Sequence, residues 1–152
     1  MKINQLKSRP EINDNAKLLK VYTQFESLIT ELEGLSLPDN VVDTINESIE
    51  QLNMTSNDRL LKETKKEQSK IIKLIEKQLK IVTINHYRNT WMALGMVVFG
   101  LPLGLAFSTS LDNMAFIGIG LPIGMAIGLA VGTGMDKKAQ EEGRQLNIEI
   151  SI

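Results

Sequence analysis

Apolar residues recur at helical spacing in the first part of the chain and run almost without interruption in the later part. The first stripe starts after Asp14 and Asn15, either of which can cap a helix, and stops at Gly34. The second follows Pro38, which suits the first turn of a helix. Spacings of three and four residues predict two amphipathic helices that pack as an antiparallel pair. Their apolar positions are Leu18, Tyr22, Phe25, Ile29 and Leu32, and then Val42, Ile45, Ile49 and Leu52.

A third stripe begins near Asn57 and Asp58, and no proline or glycine occurs between Asp58 and Thr90. A helix of that length is about 50 Å long, at a rise of roughly 1.5 Å per residue. The sequence therefore predicts a stalk helix, and leaves open whether the stalk continues into the next segment. Its apolar positions are Leu61, Ile72, Ile75, Leu79 and Val82.

These three stripes predict an all-α soluble domain over residues 14–90, in the form of a small helical bundle. Few large aromatic residues are present, so the same spacing also fits a coiled coil that shares its apolar surface between chains. Residues 1–13 are predicted to be irregular. The alternation of Leu146, Ile148, Ile150 and Ile152 predicts a short strand whose partner the sequence does not identify.

Residues 91–135 contain one ionisable side chain, Asp112, although the whole chain has 17 basic and 18 acidic residues. The apolar runs on either side of it, residues 91–109 and 115–135, are close to the roughly 20 residues that a helix needs to cross a bilayer core. The short turn from Ser110 to Met114 would join them. This pattern predicts a transmembrane hairpin.

Basic residues flank the hairpin on both sides, whereas the connecting turn has none. The positive-inside bias therefore places both termini in the cytoplasm, with residues 136–152 as a cytoplasmic tail. Aromatic and basic side chains near the predicted membrane boundary suit the headgroup region. These interface residues are His86, Tyr87, Arg88, Trp91, Lys137 and Lys138.

The hairpin contains a repeat, Gly-Leu-Pro-X-Gly-X-Ala, which begins at Gly100 and again 20 residues later. Reflection about Asp112 brings the repeats to the same depth, because Gly104 then faces Gly120. Small residues spaced by four let two helix backbones approach closely in lipid, and one strip can serve the partner helix, another chain or both. The predicted packing residues are Gly100, Gly104, Ser108, Gly120, Gly124, Gly128 and Gly132, and Pro102 and Pro122 are predicted to shape the helices.

Over residues 91–144 this pattern resembles the glycine-zipper two-span membrane proteins of bacteria. The resemblance implies close helix packing and a bacterial cytoplasmic (inner) membrane. Proteins of this kind include channels as well as structural membrane components, and the resemblance brings no catalytic residue. It does not extend to the helical domain.

The sequence offers no set of residues for catalysis. Cysteine is absent and His86 is the only histidine, which excludes thiolate zinc sites and a Ser-His-Asp triad at this boundary position. Gly118 and Gly120 lie within an apolar run rather than after a strand, so they do not form a nucleotide loop. We therefore expect no enzyme activity, no cofactor and no metal, and nucleic-acid binding is not indicated.

The helical domain separates its charges along the chain. Residues 11–57 have nine acidic side chains and two lysines, whereas residues 58–90 have nine basic and four acidic side chains. These stretches fit ion pairing within the domain, contact of the basic stretch with anionic lipid headgroups, or both.

Two functions fit these features. The first is a non-enzymatic membrane anchor or scaffold, which self-associates through its glycine-rich helices and presents residues 14–85 to a cytoplasmic partner. The alternative is a small oligomeric channel or membrane-permeabilising effector, gated by the helical domain. The lipid bilayer is a partner in both.

Overall fold

The computed structural model describes residues 2–150 and divides the chain into two compact units. Among the described residues, the first comprises residues 2–82 and 146–150, and the second residues 83–145. Helices dominate both units. In chain order the elements are α1 (Ala16–Glu33), α2 (Asp39–Met54), α3 (Asn57–Leu79), β1 (Val82–Ile84), α4 (His86–Ser110), α5 (Ile117–Glu141) and β2 (Gln145–Glu149).

The first unit is built from α1, α2 and α3 around one apolar core. The Asn15 side chain caps α1 by accepting a hydrogen bond from the Leu18 main-chain nitrogen, at 3.1 Å. The burial predicted for the first two stripes is confirmed, since all their apolar residues are buried. The predicted pairing of α1 with α2 is not the main contact, because each of these helices packs chiefly against α3. The largest fully buried side chains are Phe25, Leu28, Leu32, Ile45, Ile49, Leu52, Leu60, Ile71 and Ile75.

The prediction of one uninterrupted helix from Asp58 to Thr90 was wrong. α3 ends at Leu79 because Lys80 adopts a left-handed conformation, with φ of 58°. Asn85 is also left-handed, with φ of 60°, and α4 begins directly after it. Between these two turns the chain is extended through Ile81, Val82, Thr83 and Ile84, and β-branched residues favour that conformation.

The predicted C-terminal strand is present among the described residues. β2 pairs with β1 in a two-stranded sheet, which supplies the partner that the sequence did not identify. Leu146 and Ile150 are buried in the core of the first unit. The predicted position Ile152 lies outside the described residues.

The second unit is a pair of apolar helices, α4 and α5. α4 is 25 residues long, and α5 together with the preceding turn Met114–Phe116 is 28 residues long. α4 extends beyond the predicted span 91–109 at both ends, and α5 extends beyond the predicted span 115–135 at its C-terminal end. The predicted bounds stopped at charged and polar residues, but helical hydrogen bonding continues through them. Accordingly, residues 136–141 of the predicted tail belong to α5.

Pro102 coincides with a change of helical geometry inside α4. Residues Met96–Gly100 form a π-helical turn, in which the main-chain N–H of Leu101 bonds to the carbonyl of Met96, five residues earlier. Proline has no N–H and its ring crowds the carbonyl four residues before it, and a local π turn is one way in which a helix accommodates it. The equivalent Pro122 lies within regular α5.

Candidate functional site

The candidate site is the contact face between α4 and α5, where glycines bring the two backbones together. Gly120, Gly124, Gly128 and Gly132 of α5 are all buried. A β-carbon added to Gly132 would lie 2.5 Å from the Arg88 Cα, a separation that real β-carbons do not show. The three other positions are equally closed, because a β-carbon at each would meet main-chain atoms of α4.

The reflected register proposed from the repeat agrees with the observed neighbours. A β-carbon on Gly120 would meet the main chain of Gly100 and Gly104, and one on Gly124 would meet the main chain of Gly100. On α4, a β-carbon on Gly104 would lie 2.5 Å from the Ile117 carbonyl oxygen. Neither helix has room here for even a methyl group.

Sequence reasoning missed Gly95, which belongs to the same contact. A β-carbon on Gly95 would lie 2.8 Å from the Gly128 Cα and would meet the carbonyl of Gly124. Gly95 precedes Gly100 by five residues, not four, so it falls outside the four-residue pattern. The absence of a side chain at Gly95, within an apolar helix, was the sequence signal that could have identified it as a packing residue.

The predicted packing position Ser108 is buried at the turn end of the contact. Its hydroxyl donates to the Met114 sulfur, at 3.2 Å. The turn that follows is held by the Asn113 main-chain N–H, which donates to the Ser108 carbonyl, and by the Asn113 side chain, which accepts from the Ala115 N–H. Asp112 lies in this turn with φ of 47°.

The opposite faces of the two helices consist of exposed apolar side chains. In the most apolar 18-residue stretch of each helix, 22% of residues are buried in α4 and 17% in α5. Both prolines are also exposed. The large exposed side chains are Leu94, Val97, Val98, Phe99, Leu101, Leu105, Phe107, Ile119, Leu121, Ile123, Ile127 and Val131.

Asp136 of α5 is a structural residue that sequence reasoning did not single out. It is 8% exposed, and its two carboxylate oxygens accept hydrogen bonds from the main-chain N–H groups of Tyr87 and Arg88, at 3.0 and 2.8 Å. These donors lie in the first turn of α4, where N–H groups have no partner within the helix. Asp136 therefore caps α4 from the neighbouring helix.

The residues predicted for the membrane interface lie at the open end of the helix pair. His86, Tyr87 and Trp91 are partly buried, and the rings of His86 and Tyr87 meet edge to face with centroids 5.0 Å apart. Arg88 is exposed. Lys137 and Lys138 are exposed too, and each lies 3.9 Å from a glutamate four residues later.

The expectation that one glycine strip could also serve another chain is revised by this packing. The four-residue series on α5 is covered by α4 of the same chain. The glycines of α5 at which an added β-carbon meets no atom within 4 Å are Gly118 and Gly134, and they lie too far apart to form a strip. The strip is therefore committed to the contact between α4 and α5.

Within residues 2–150 no group of three histidine, aspartate or glutamate side chains is arranged to hold a metal ion. No protein-family model, curated protein or solved structure matches the chain.

Proposed function

We propose that this chain is a non-enzymatic integral membrane protein. α4 and α5 cross the bilayer as an antiparallel pair, and the helical unit of residues 1–82 is presented on the cytoplasmic side to a protein partner. Its role is to anchor that unit at the membrane. The resemblance to glycine-zipper proteins favours the bacterial inner membrane.

The observation that carries the proposal is the outward exposure of apolar side chains on two long helices. Both helices are long and apolar enough to cross a membrane, but most residues of their apolar stretches are not buried within the chain. A core helix of a water-soluble protein would be mostly covered, and soluble monomers rarely expose apolar patches of this extent. A lipid environment accounts for such a surface.

The polar side chains of the two helices suit a lipid environment as well. Unsatisfied main-chain groups are costly in hydrocarbon, and a continuous helix satisfies them internally. The Thr109 hydroxyl donates to the Leu105 carbonyl, and the Ser108 hydroxyl has the Met114 sulfur. Close glycine contacts add dispersion and Cα–H···O interactions, which replace the hydrophobic driving force that is missing between helices in lipid.

An anchor fits these faces better than a pore. Intramembrane ionisable side chains commonly mark ion routes, and between residues 91 and 135 the chain has only Asp112, at the turn. Because the glycine strip is covered within the chain, any self-association must use the exposed faces or the helical unit. The positive-inside bias places the turn outside and both chain ends inside.

Cysteine labelling in the full chain tests membrane insertion and orientation. The protein has no cysteine, so Ser110→Cys at the turn and Ser27→Cys on α1, both at exposed positions, each create a unique thiol. In intact spheroplasts an impermeant maleimide should label the first variant, whereas the second should react only after lysis. Extraction of the wild-type chain by carbonate, or equal labelling of both variants before lysis, would overturn the proposal.

A further inference from the structure

The N-terminal segment, residues 2–9, lies along α2 without helix or strand structure and is held through its main chain. The Asn46 side chain accepts from the Asn4 main-chain nitrogen at 2.7 Å and donates to the Lys2 carbonyl at 3.1 Å. Asn53 does the same one step further along. It accepts from the Lys7 nitrogen at 2.8 Å and donates to the Gln5 carbonyl at 3.2 Å.

The two asparagines match the repeat of the segment. They are seven residues apart on α2, two helical turns or about 10.5 Å. The main-chain groups that they contact advance by three residues, and three residues of extended chain span at most about 10–11 Å. A carboxamide that accepts from one main-chain N–H and donates to one main-chain carbonyl recognises the backbone of a peptide, whatever its side chains are. This row is therefore suited to an extended peptide.

Side chains of the segment supply the second part of the recognition, again at intervals of three. Ile3 and Ile12 are buried and Leu6 is partly buried, whereas most positions between them are exposed. On the α1 side, the Tyr22 hydroxyl donates to the Lys7 carbonyl at 2.7 Å. The segment thus occupies a groove between α1 and α2.

Arg9 fixes the segment at the end of the groove. Its guanidinium donates to the carbonyls of Leu52 and Asn53, at 2.9 and 3.0 Å, and to the Asn57 side chain at 2.8 Å. Those carbonyls lie in the last turn of α2, where the helix dipole favours a cation. An arginine six residues after an apolar residue is therefore part of the pattern that this groove accepts.

We infer that this groove is a binding site for an extended peptide of the pattern apolar-x-x-apolar-x-x-Arg, and that the N-terminal segment of a second copy of the chain binds there in exchange for the chain's own. The chain's own N-terminal segment has this pattern in Ile3, Leu6 and Arg9, and it occupies the groove in the structure. Each contact would form again between two copies, because none requires the segment and the groove to belong to one chain.

The connection to α1 permits such an exchange. Asn15 is exposed and extended, and it separates the 3-10 helix Pro10–Asp14 from α1, so a change of main-chain direction there moves residues 2–14 as a unit. Exchange of an identical element is a low-cost route to dimers, and chains anchored in one bilayer meet at raised local concentration. Only this concentration effect rests on the proposed membrane function. Exchange would also let copies of the chain associate with one another, which the glycine strip cannot do because α4 covers it.

Two complementary variants of the full chain, purified in detergent, test the inference. The segment variant, Ile3→Asp with Arg9→Ala, keeps its groove but has a weakened occupant. The groove variant, Asn46→Ala with Asn53→Ala, keeps an intact segment without a groove to bind it. Mixed together, they should associate at least about tenfold more tightly than either variant with itself. Labelling of the groove variant through Ser110→Cys lets fluorescence anisotropy follow the complex.

A matched control replaces Glu47 and Gln51, two exposed residues of the same helix, by alanine. This variant retains its own groove contacts and should show no increased association with the segment variant. A synthetic peptide of residues 2–12 should bind the segment variant, and Asn46→Ala with Asn53→Ala added to that variant should abolish binding. Circular dichroism verifies that every variant keeps its helices.

Association of the mixed pair no stronger than that of either variant alone would overturn the inference, as would peptide binding that ignores both asparagines. The segment would then be a contact within one chain only. Neither result affects cysteine labelling of the turn, so failure of the exchange is distinguishable from failure of the membrane proposal.

Discussion

The Oδ2 atom of Asp136 lies 2.8 Å from the main-chain nitrogen of Arg88, so a carboxylate near the end of α5 caps the start of α4. The same side chain also bonds to the main-chain nitrogen of Tyr87. Asn85, which immediately precedes α4, makes no side-chain cap of its own. The beginning of one apolar helix is thus completed by the other, which ties the geometry of the pair to a single acidic residue.

Asp136→Ala is expected to destabilise the helix pair, because two main-chain donors lose their acceptor. Loss of a helix cap costs about 0.5–2 kcal/mol. Thermal unfolding of the full chain in detergent, followed by circular dichroism, measures the change. Glu141→Ala is the matched control, since it removes an exposed acid from the same helix with a contact of 3.9 Å to Lys137, and surface pairs contribute about 0–1 kcal/mol. Equal effects of the two substitutions would contradict the capping role.

Gly124→Ala is expected to force α4 and α5 apart, because its β-carbon would meet main-chain atoms of Gly95 and Gly100. Overpacking of this kind costs about 1–3 kcal/mol. The measurement is again the thermal midpoint in detergent. Gly134→Ala provides the control, because it lies within α5 and its β-carbon meets nothing within 4 Å. Alanine in a helix interior is favoured over glycine by about 0.5–1 kcal/mol, so the control should be neutral or slightly stabilised, and a comparable loss there would contradict the packing.

Ser48→Ala is expected to destabilise the helical unit by about 1–3 kcal/mol, because it removes a hydrogen bond from a buried carboxylate. Glu67 has a side chain only 4% exposed, and its Oε2 accepts from the Ser48 hydroxyl at 2.8 Å. Lys70 also approaches that oxygen, at 3.3 Å. Chemical denaturation reports the loss. Ser27→Ala, at an exposed position of α1, should stay within about 0.5 kcal/mol of the wild type, and a similar loss in both variants would argue against a specific contact.

High pH is expected to loosen the N-terminal segment. Burial raises the pKa of the Tyr22 phenol above its ordinary value, with nearby Arg9 opposing the shift. Since the folded-state pKa is the higher one, this stabilisation is fully present below the unfolded pKa of about 10 and is lost as pH rises through the folded value. The ionised phenol can no longer donate to the Lys7 carbonyl.

Ultraviolet titration of tyrosinate ionisation tests this expectation in the Tyr87→Phe variant, in which Tyr22 is the only remaining tyrosine. Its ionisation should occur at higher pH than in the denatured chain and should coincide with increased proteolysis of residues 2–9. Tyr22→Phe should remove that pH dependence. Coincident titration curves for the folded and denatured chains would contradict the assignment.

The fold was predictable from sequence where it depends on residue pattern. Helical spacing located the buried faces of α1 and α2, and the near absence of charge located the two apolar helices. The end of α3 was not predictable in the same way. Lysine rarely adopts the left-handed conformation, and Lys80 does so shortly before β1, a strand whose partner β2 is more than 60 residues away in sequence.

The candidate site was predictable only in part for a related reason. Four-residue spacing identified the glycines of α5, but the role of Asp136 depends on which main-chain donors the helix contact brings near it. The groove along α2 was also missed, because Asn46 and Asn53 act on main-chain groups and leave no complementary pattern of side-chain types. Their seven-residue spacing on α2 was the available signal.

The π turn before Pro102 has a consequence for the length of α4. A turn that closes over five residues holds one residue more than an α-helical turn, so Gly95 reaches the same side as Gly100 despite the odd spacing. α4 therefore contains one residue more than a regular α-helix of the same length would have. Deletion of Val97 should therefore restore a regular helix with the glycines still in register, whereas deletion of Ile123 from α5 should rotate Gly124 and every later glycine away from α4.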